Sequence, residues 1–147
     1  MKKENIIKKI IEEQQKVISN FQNSVERFRN ASDLDEEATH DREDFSHQTE
    51  AKDMQLRFEQ LVKSAEANLL FLEKAIDEPR TGIESGALIE TDKNYIFIGI
   101  SVSPFKIQDK EVICISEEAP IFAKIKDAKI GDTIDFGSHQ IQIISIS

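Results

Sequence analysis

Residues 76–83, Ile76-Asp77-Glu78-Pro79-Arg80-Thr81-Gly82-Ile83, divide the chain into two differently built halves. All three prolines (Pro79, Pro104, Pro120) and all five glycines (Gly82, Gly86, Gly99, Gly131, Gly137) lie beyond residue 78 of 147. Proline lacks an amide donor and crowds the preceding turn, so a helix running through residues 1–78 must stop at Pro79.

Working back from that break, the apolar residues recur at three- and four-residue steps: Ile7, Ile10, Val17, Phe21, Val25, Phe28, then Met54, Phe58, Leu61, Leu69, Leu72, Ile76. This is the stripe of a coiled coil. Two helices that fold back on each other pair residues whose numbers have a constant sum. Ile7 with Leu72, Ile10 with Leu69, Val17 with Val62, Phe21 with Phe58, Val25 with Met54 and Phe28 with Ala51 all sum to 79, and Gln14 meets Ala65 at the same sum. The pattern predicts an intramolecular antiparallel hairpin, and hence a monomer, in preference to a long parallel dimer. Its turn is expected near Thr39 and His40, with Leu34 and Phe45 closing the end. At roughly 1.5 Å of rise per residue each arm would reach about 50 Å. Two helices bury only one seam each, so such a rod serves reach better than enclosure.

Working forward from the break, the pattern changes to strands separated by turn residues. Strands are expected near 87–90, 95–102, 111–116, 133–136 and 140–146, with turns at Thr91-Asp92-Lys93-Asn94, Asp109-Lys110 and Gly137-Ser138. Tyr95-Ile96-Phe97-Ile98 is apolar on both faces, which predicts a central strand covered by a helix; residues 119–128, with Pro120 in the first turn, are the candidate cover. The expected class is α+β: a helical hairpin over 1–78, a hinge over 79–84, and a small antiparallel β domain with one helix over 85–147.

Composition bounds the function. The chain is 39% hydrophobic and 32% charged, with 28 acids against 19 Lys and Arg and a net charge of -9. No apolar run nears the roughly 18 residues of a membrane span, and the Met1-Lys2-Lys3-Glu4 start leads into amphipathic sequence. A cytoplasmic protein with no membrane partner is expected. The single cysteine, Cys114, alternates with strand residues and reads as core, not nucleophile. His40, His47 and His139 have no second ligand at metal spacing, so no zinc site is expected.

The charge is unevenly placed. Residues 1–30 hold seven bases and four acids, whereas residues 32–44 hold seven acids and one Arg. Asp41, Glu43 and Asp44 fall where a second helix would begin, the end at which carboxylates suit the helix dipole. Asp33, Asp35, Glu36 and Glu37 fall where the first helix would end, the end at which they do not. Asp33 and Glu36, three apart, share a helical face and can reach one cation, and carboxylate oxygens are the ligands that hard Mg²⁺ takes. A solvated turn that merely opposes aggregation is the bland alternative. Lys8, Lys9, Lys16, Arg27 and Arg29 can steer the first helix along RNA or acidic walls, or simply solvate it.

An acidic-tipped helical hairpin of this length followed by a small β domain resembles the bacterial Gre transcript-cleavage factors. In the tip, Asp33-Leu34-Asp35-Glu36-Glu37 is similar to the family's Asp-Leu-x-Glu-Asn motif. Downstream, Ile115-Ser116, Ala119-Pro120-Ile121 and Lys129-Ile130-Gly131-Asp132 match the family's carboxy-terminal signature in order and spacing. The chain departs from the pattern at Glu37 for Asn, at Thr39 where a Tyr is usual, and at Phe122 and Asp127 for Gly.

The resemblance implies an FKBP-like fold for the second domain, which docks on RNA polymerase through Pro120, Ile121 and Phe122. It implies that the hairpin enters the secondary channel with Lys16, Arg27 and Arg29 as steering residues. Asp33 and Glu36 would there help hold a second Mg²⁺ for hydrolysis of backtracked nascent RNA. Such a protein is not itself an enzyme but a stimulator of the polymerase's own nuclease. The extra tip acids also resemble inhibitory Gre relatives, which occupy the channel without cleavage. A prolyl isomerase and a structural coiled-coil dimer are the remaining alternatives.

Overall fold

The computed structural model describes residues 3–34 and 42–147, with side chains described over 3–31 and 49–147. Two long helices, α1 (Lys3–Leu34) and α2 (Arg42–Asp77), precede six strands and one short helix. Residue contacts divide the chain into two compact units, Ile11–Leu70 and Met1–Ile10 together with Phe71–Ser147.

The Ile11–Leu70 unit is the larger part of the helix pair. Gln14, Ile18 and Val25 of α1 and Ala51, Gln55 and Ala65 of α2 are buried, at the three- and four-residue spacing of a helix seam. The Gln14 amide donates to the Ala65 carbonyl at 3.1 Å, so the polar interruption of the stripe is satisfied. The helices run antiparallel, and two of the pairs expected at a sum of 79 are in contact, Gln14 with Ala65 and Phe21 with Phe58. Phe58 meets Phe21 at 6.1 Å and stacks on Phe28 at 5.7 Å between ring centroids, which places it between them, level with Val25. Further along the pair the contacts fall at larger sums, Phe28 with Phe58 and Arg29 with Glu59. Leu61, expected in the seam, is exposed.

The other unit carries β1 (Leu88–Thr91), β2 (Asn94–Ile98), β3 (Val102–Ile107), β4 (Lys110–Ile115), α3 (Pro120–Ile125), β5 (Thr133–Phe136) and β6 (His139–Ile146). The strands form one sheet in the order β3-β4-β2-β1-β6-β5. Five antiparallel strands were expected; there are six, and β2 pairs with β4 in parallel, Tyr95 opposite Val112 and Phe97 opposite Cys114. The unforeseen strand is β3. It contains Pro104, which reads as a break, but β3 lies at the sheet edge and its register shifts between Val102 and Phe105, where a missing amide is tolerated.

Alternation along β2 sends its side chains to opposite faces. Ile96 and Ile98 join Ile83, Ala87, Ile89, Ile141 and Ile143 in a core capped by Ile125 of α3. On the other face Phe97 meets the ring of Phe71, from the end of α2, edge-on at 6.0 Å. Gly99, at φ +131, makes that contact possible, because a Cβ there would lie 2.5 Å from the Phe71 ring. The roots of both long helices thus belong to the sheet unit, with Ile6, Ile7, Ile10 and Leu72 fully buried in it. Lys3 Nζ donates to the Glu78 carbonyl at 3.0 Å. Burial and the neighbouring Arg80 lower the Lys3 pKa, partly offset by Glu78.

The turns follow their residues. Gly137-Ser138 joins β5 to β6 with φ +64 at the glycine, the primed-turn position that glycine serves. The β3–β4 turn is centred on Gln108-Asp109, one residue before the expected pair, and both have positive φ.

Candidate functional site

The acid-rich segment 32–44 joins α1 to α2. Helix α1 ends at Leu34 with no base in its last turn, so Asp33 stands at the negative end of the helix dipole without the usual compensation. Positions 43 and 44 fall in the first turn of α2. Glu36 lies outside the described residues, as do Asp35, Glu37, Thr39 and His40; the side chain of Asp33, and with it the Leu34–Phe45 closure, lies outside the described side chains. Among the described residues no cluster of three or more His, Cys, Asp or Glu stands ready for a metal.

Helix α1 carries Lys16, Arg27 and Arg29, the residues expected to steer, on its exposed surface. Lys16 Nζ meets Glu13 Oε1 at 3.1 Å. Arg27 lies 5.8 Å from the Phe28 ring centroid. Arg29 reaches Glu26 at 3.6 Å on its own helix and Glu59 at 3.5 Å on α2. The Gln55 amide also donates to Glu59, at 3.0 Å, and this bond more than Arg29 holds the Glu59 carboxyl below the usual range. Exposed pairs of this kind are weak, because water screens the charges and the long side chains must be ordered to meet. The sequence reading missed Glu59 because a cross-helix partner depends on the register.

The expected docking residues divide between surface and core. Pro120 is exposed at the first position of α3 and Ile121 is half-buried, but Phe122 packs against the apolar core beside Ile125. The loop before α3 is fixed by Glu117, whose Oε1 accepts from the Ser85 hydroxyl at 2.7 Å and from the Ser85 amide at 2.9 Å. Those two bonds, the hydroxyl first, lower the Glu117 pKa.

Two other candidate groups are placed plainly. Cys114 is buried in β4, and burial pushes its thiol up to about 12, which leaves no thiolate for nucleophilic work near neutral pH. His139 is exposed at the start of β6. Among the described residues no helix is long and apolar enough to cross a membrane.

Comparison with known proteins matches no family model, no curated protein and no solved structure. The functional reading rests on the residues themselves and on the way the chain presents them.

Proposed function

We propose that the chain is a Gre-type transcription elongation factor that binds RNA polymerase and delivers a carboxylate pair to the polymerase active site. The observation that carries this reading is the antiparallel packing of α1 and α2, which makes the acid-rich segment 32–44 the connection between a net-basic helix and its partner. The downstream sheet with a single short helix is what an FKBP-like docking domain requires, and the matching signature residues lie in it: Ile115 ends β4, Pro120 begins α3, and Lys129-Ile130-Gly131-Asp132 precedes β5.

Asp33 and Glu36 supply hard oxygen donors, which suit Mg²⁺ and not a soft metal. When bound, Mg²⁺ supplies Lewis acidity and lowers the pKa of a water for phosphodiester hydrolysis. The part of the chain is delivery and orientation: tethered carboxylates act at high effective concentration beside an ion that either would hold weakly alone. Lys16, Arg27 and Arg29 guide the net-basic helix toward RNA, which reconciles approach to a polyanion with an overall charge of -9.

The test is transcript cleavage in a stalled elongation complex. The intact chain is expected to release short 3′ RNA fragments. Asp33→Asn and Glu36→Gln are each expected to lose that activity about 100-fold or more while still binding polymerase, as removal of a group acting only in the transition state does. Cleavage at the normal rate by either variant would end the assignment. The extra acids Asp35 and Glu37 favour one second reading, a channel-occupying regulator, which predicts slowed elongation and no released fragment.

A further inference from the structure

We infer that the turn Lys129-Ile130-Gly131-Asp132, with the end of α3, forms a second docking surface for a protein segment that presents an apolar side chain flanked by carboxylates. This rests on the polymerase reading for the identity of the partner, but the surface is distinct from the Pro120–Phe122 stretch.

Ile130 is 62% exposed, yet it does not sit on a loose loop. The Asp132 amide donates to the Lys129 carbonyl at 3.0 Å and Gly131 has φ +94, the pattern of a type II turn with Ile130 at its second position. Asp132 Oδ2 accepts from the Lys129 amide at 2.8 Å. The turn is bonded to β6 on both sides, Gly131 donating to the Ile143 carbonyl at 2.8 Å and Ile143 donating to the Asp132 carbonyl at 2.9 Å. Most residues serve at the second position of such a turn, and Ile is not needed there for the fold. A rigidly held, exposed isoleucine loses little freedom on binding, which is what an interface anchor requires.

Ile130 lines a cleft of about 500 Å³ together with Ile83, Ala128 and Ile146, and the charged residues of the lining are Lys126, Asp127 and Lys129. Arg80, Lys93 and Lys110 of the same unit each bond an oxygen of this chain. The ammonium groups of Lys124, Lys126 and Lys129, like that of Lys106 elsewhere in the domain, meet no carboxylate among the described residues. Residues 119–132 hold these three lysines against Asp127 and Asp132, a small positive excess in a domain whose ten acids outnumber its seven bases. Charge complementarity selects an acidic partner and the apolar cleft selects a side chain. Nucleic acid fits less well, because Asp127 and Asp132 stand among the lysines and a phosphate backbone offers the cleft nothing apolar.

The experiment titrates purified RNA polymerase with the labelled full chain at low and high salt. Ile130→Asp is expected to weaken binding at least about tenfold, the loss of one anchor, while Ile130→Leu binds within about twofold of the parent. Lys126→Glu with Lys129→Glu is expected to weaken binding at low salt, with the difference shrinking at high salt as the charges are screened. Thermal melting should be unchanged in all three, since the side chains are exposed. Parental affinity in Ile130→Asp, or in the charge-reversed pair at low salt, overturns the inference while the functional reading stands. Failure of the unaltered chain to bind polymerase overturns both.

Discussion

The two compact units hold their residues in very different ways. In the Met1–Ile10 and Phe71–Ser147 unit, large side chains such as Ile7, Leu72, Phe97, Ile98, Ile125 and Ile143 have essentially no exposure. In the Ile11–Leu70 unit, among the described residues, no large side chain is buried so completely; its seam is made of Ile18, Val25, Ala51 and Ala65 with two glutamines. A single helix seam removes little apolar surface per residue, whereas a sheet covered on both faces removes much. The secure part of the molecule is the part proposed to dock. The part proposed to reach is held by a thinner margin, as expected for an element that must act at a distance.

Three changes break or sharpen that contrast. The largest effect is expected at Gly99, where alanine would meet the Phe71 ring and take up a φ that suits glycine; backbone strain and overpacking together should cost about 4 kcal/mol, read as a fall in the denaturant midpoint. Next, Leu72→Ala should cost about 3 kcal/mol, against about 1 kcal/mol for Val62→Ala in the half-buried distal seam. Equal costs would show that the two units are equally well packed and so remove the contrast. The smallest effect is a pH dependence within the sheet unit. The Glu117 carboxyl is held below the usual range by Ser85, so its stabilisation is complete above the ordinary carboxylate value and is lost as pH falls through the lowered one. Glu117→Gln should flatten the acid limb of a stability titration; an unchanged limb would show that the Ser85 bonds carry no net stability.

Much of the architecture was legible in the residues. The confinement of glycine and proline beyond residue 78 marked where helix gives way to strand, and the stripe gave the antiparallel sense. Register was legible in part: Gln14 meets Ala65 and Phe21 meets Phe58 as paired, but the stacking of Phe58 on Phe28, further along α1, is not a pairing that a constant sum provides. Strand β3 was hidden by Pro104, whose meaning depends on whether a strand lies at an edge. Phe71 lies off the stripe and reads as a spare apolar residue until β2 provides Phe97 to receive it. Of the candidate site, sequence identified the acids and bases but not their cross-helix partners, since Arg29 and Glu59 are thirty positions apart. Nor does a pattern of residue types reveal that Ile130 is held rigidly, which needs the backbone bonds to β6.

The partition of the helix pair between two units also bears on the order of events during synthesis. Residues 1–10 leave the ribosome before residues 11–70, yet they share a compact unit with residues 71–147, and Lys3 bonds the Glu78 carbonyl across 75 positions. Ile6, Ile7 and Ile10 must therefore wait, uncovered, while the whole distal hairpin is made. Contacts of such long sequence separation form late and leave apolar surface open in the meantime. The lysines at positions 8 and 9, interleaved with those isoleucines, give the waiting segment the charge that keeps it from sticking to its neighbours.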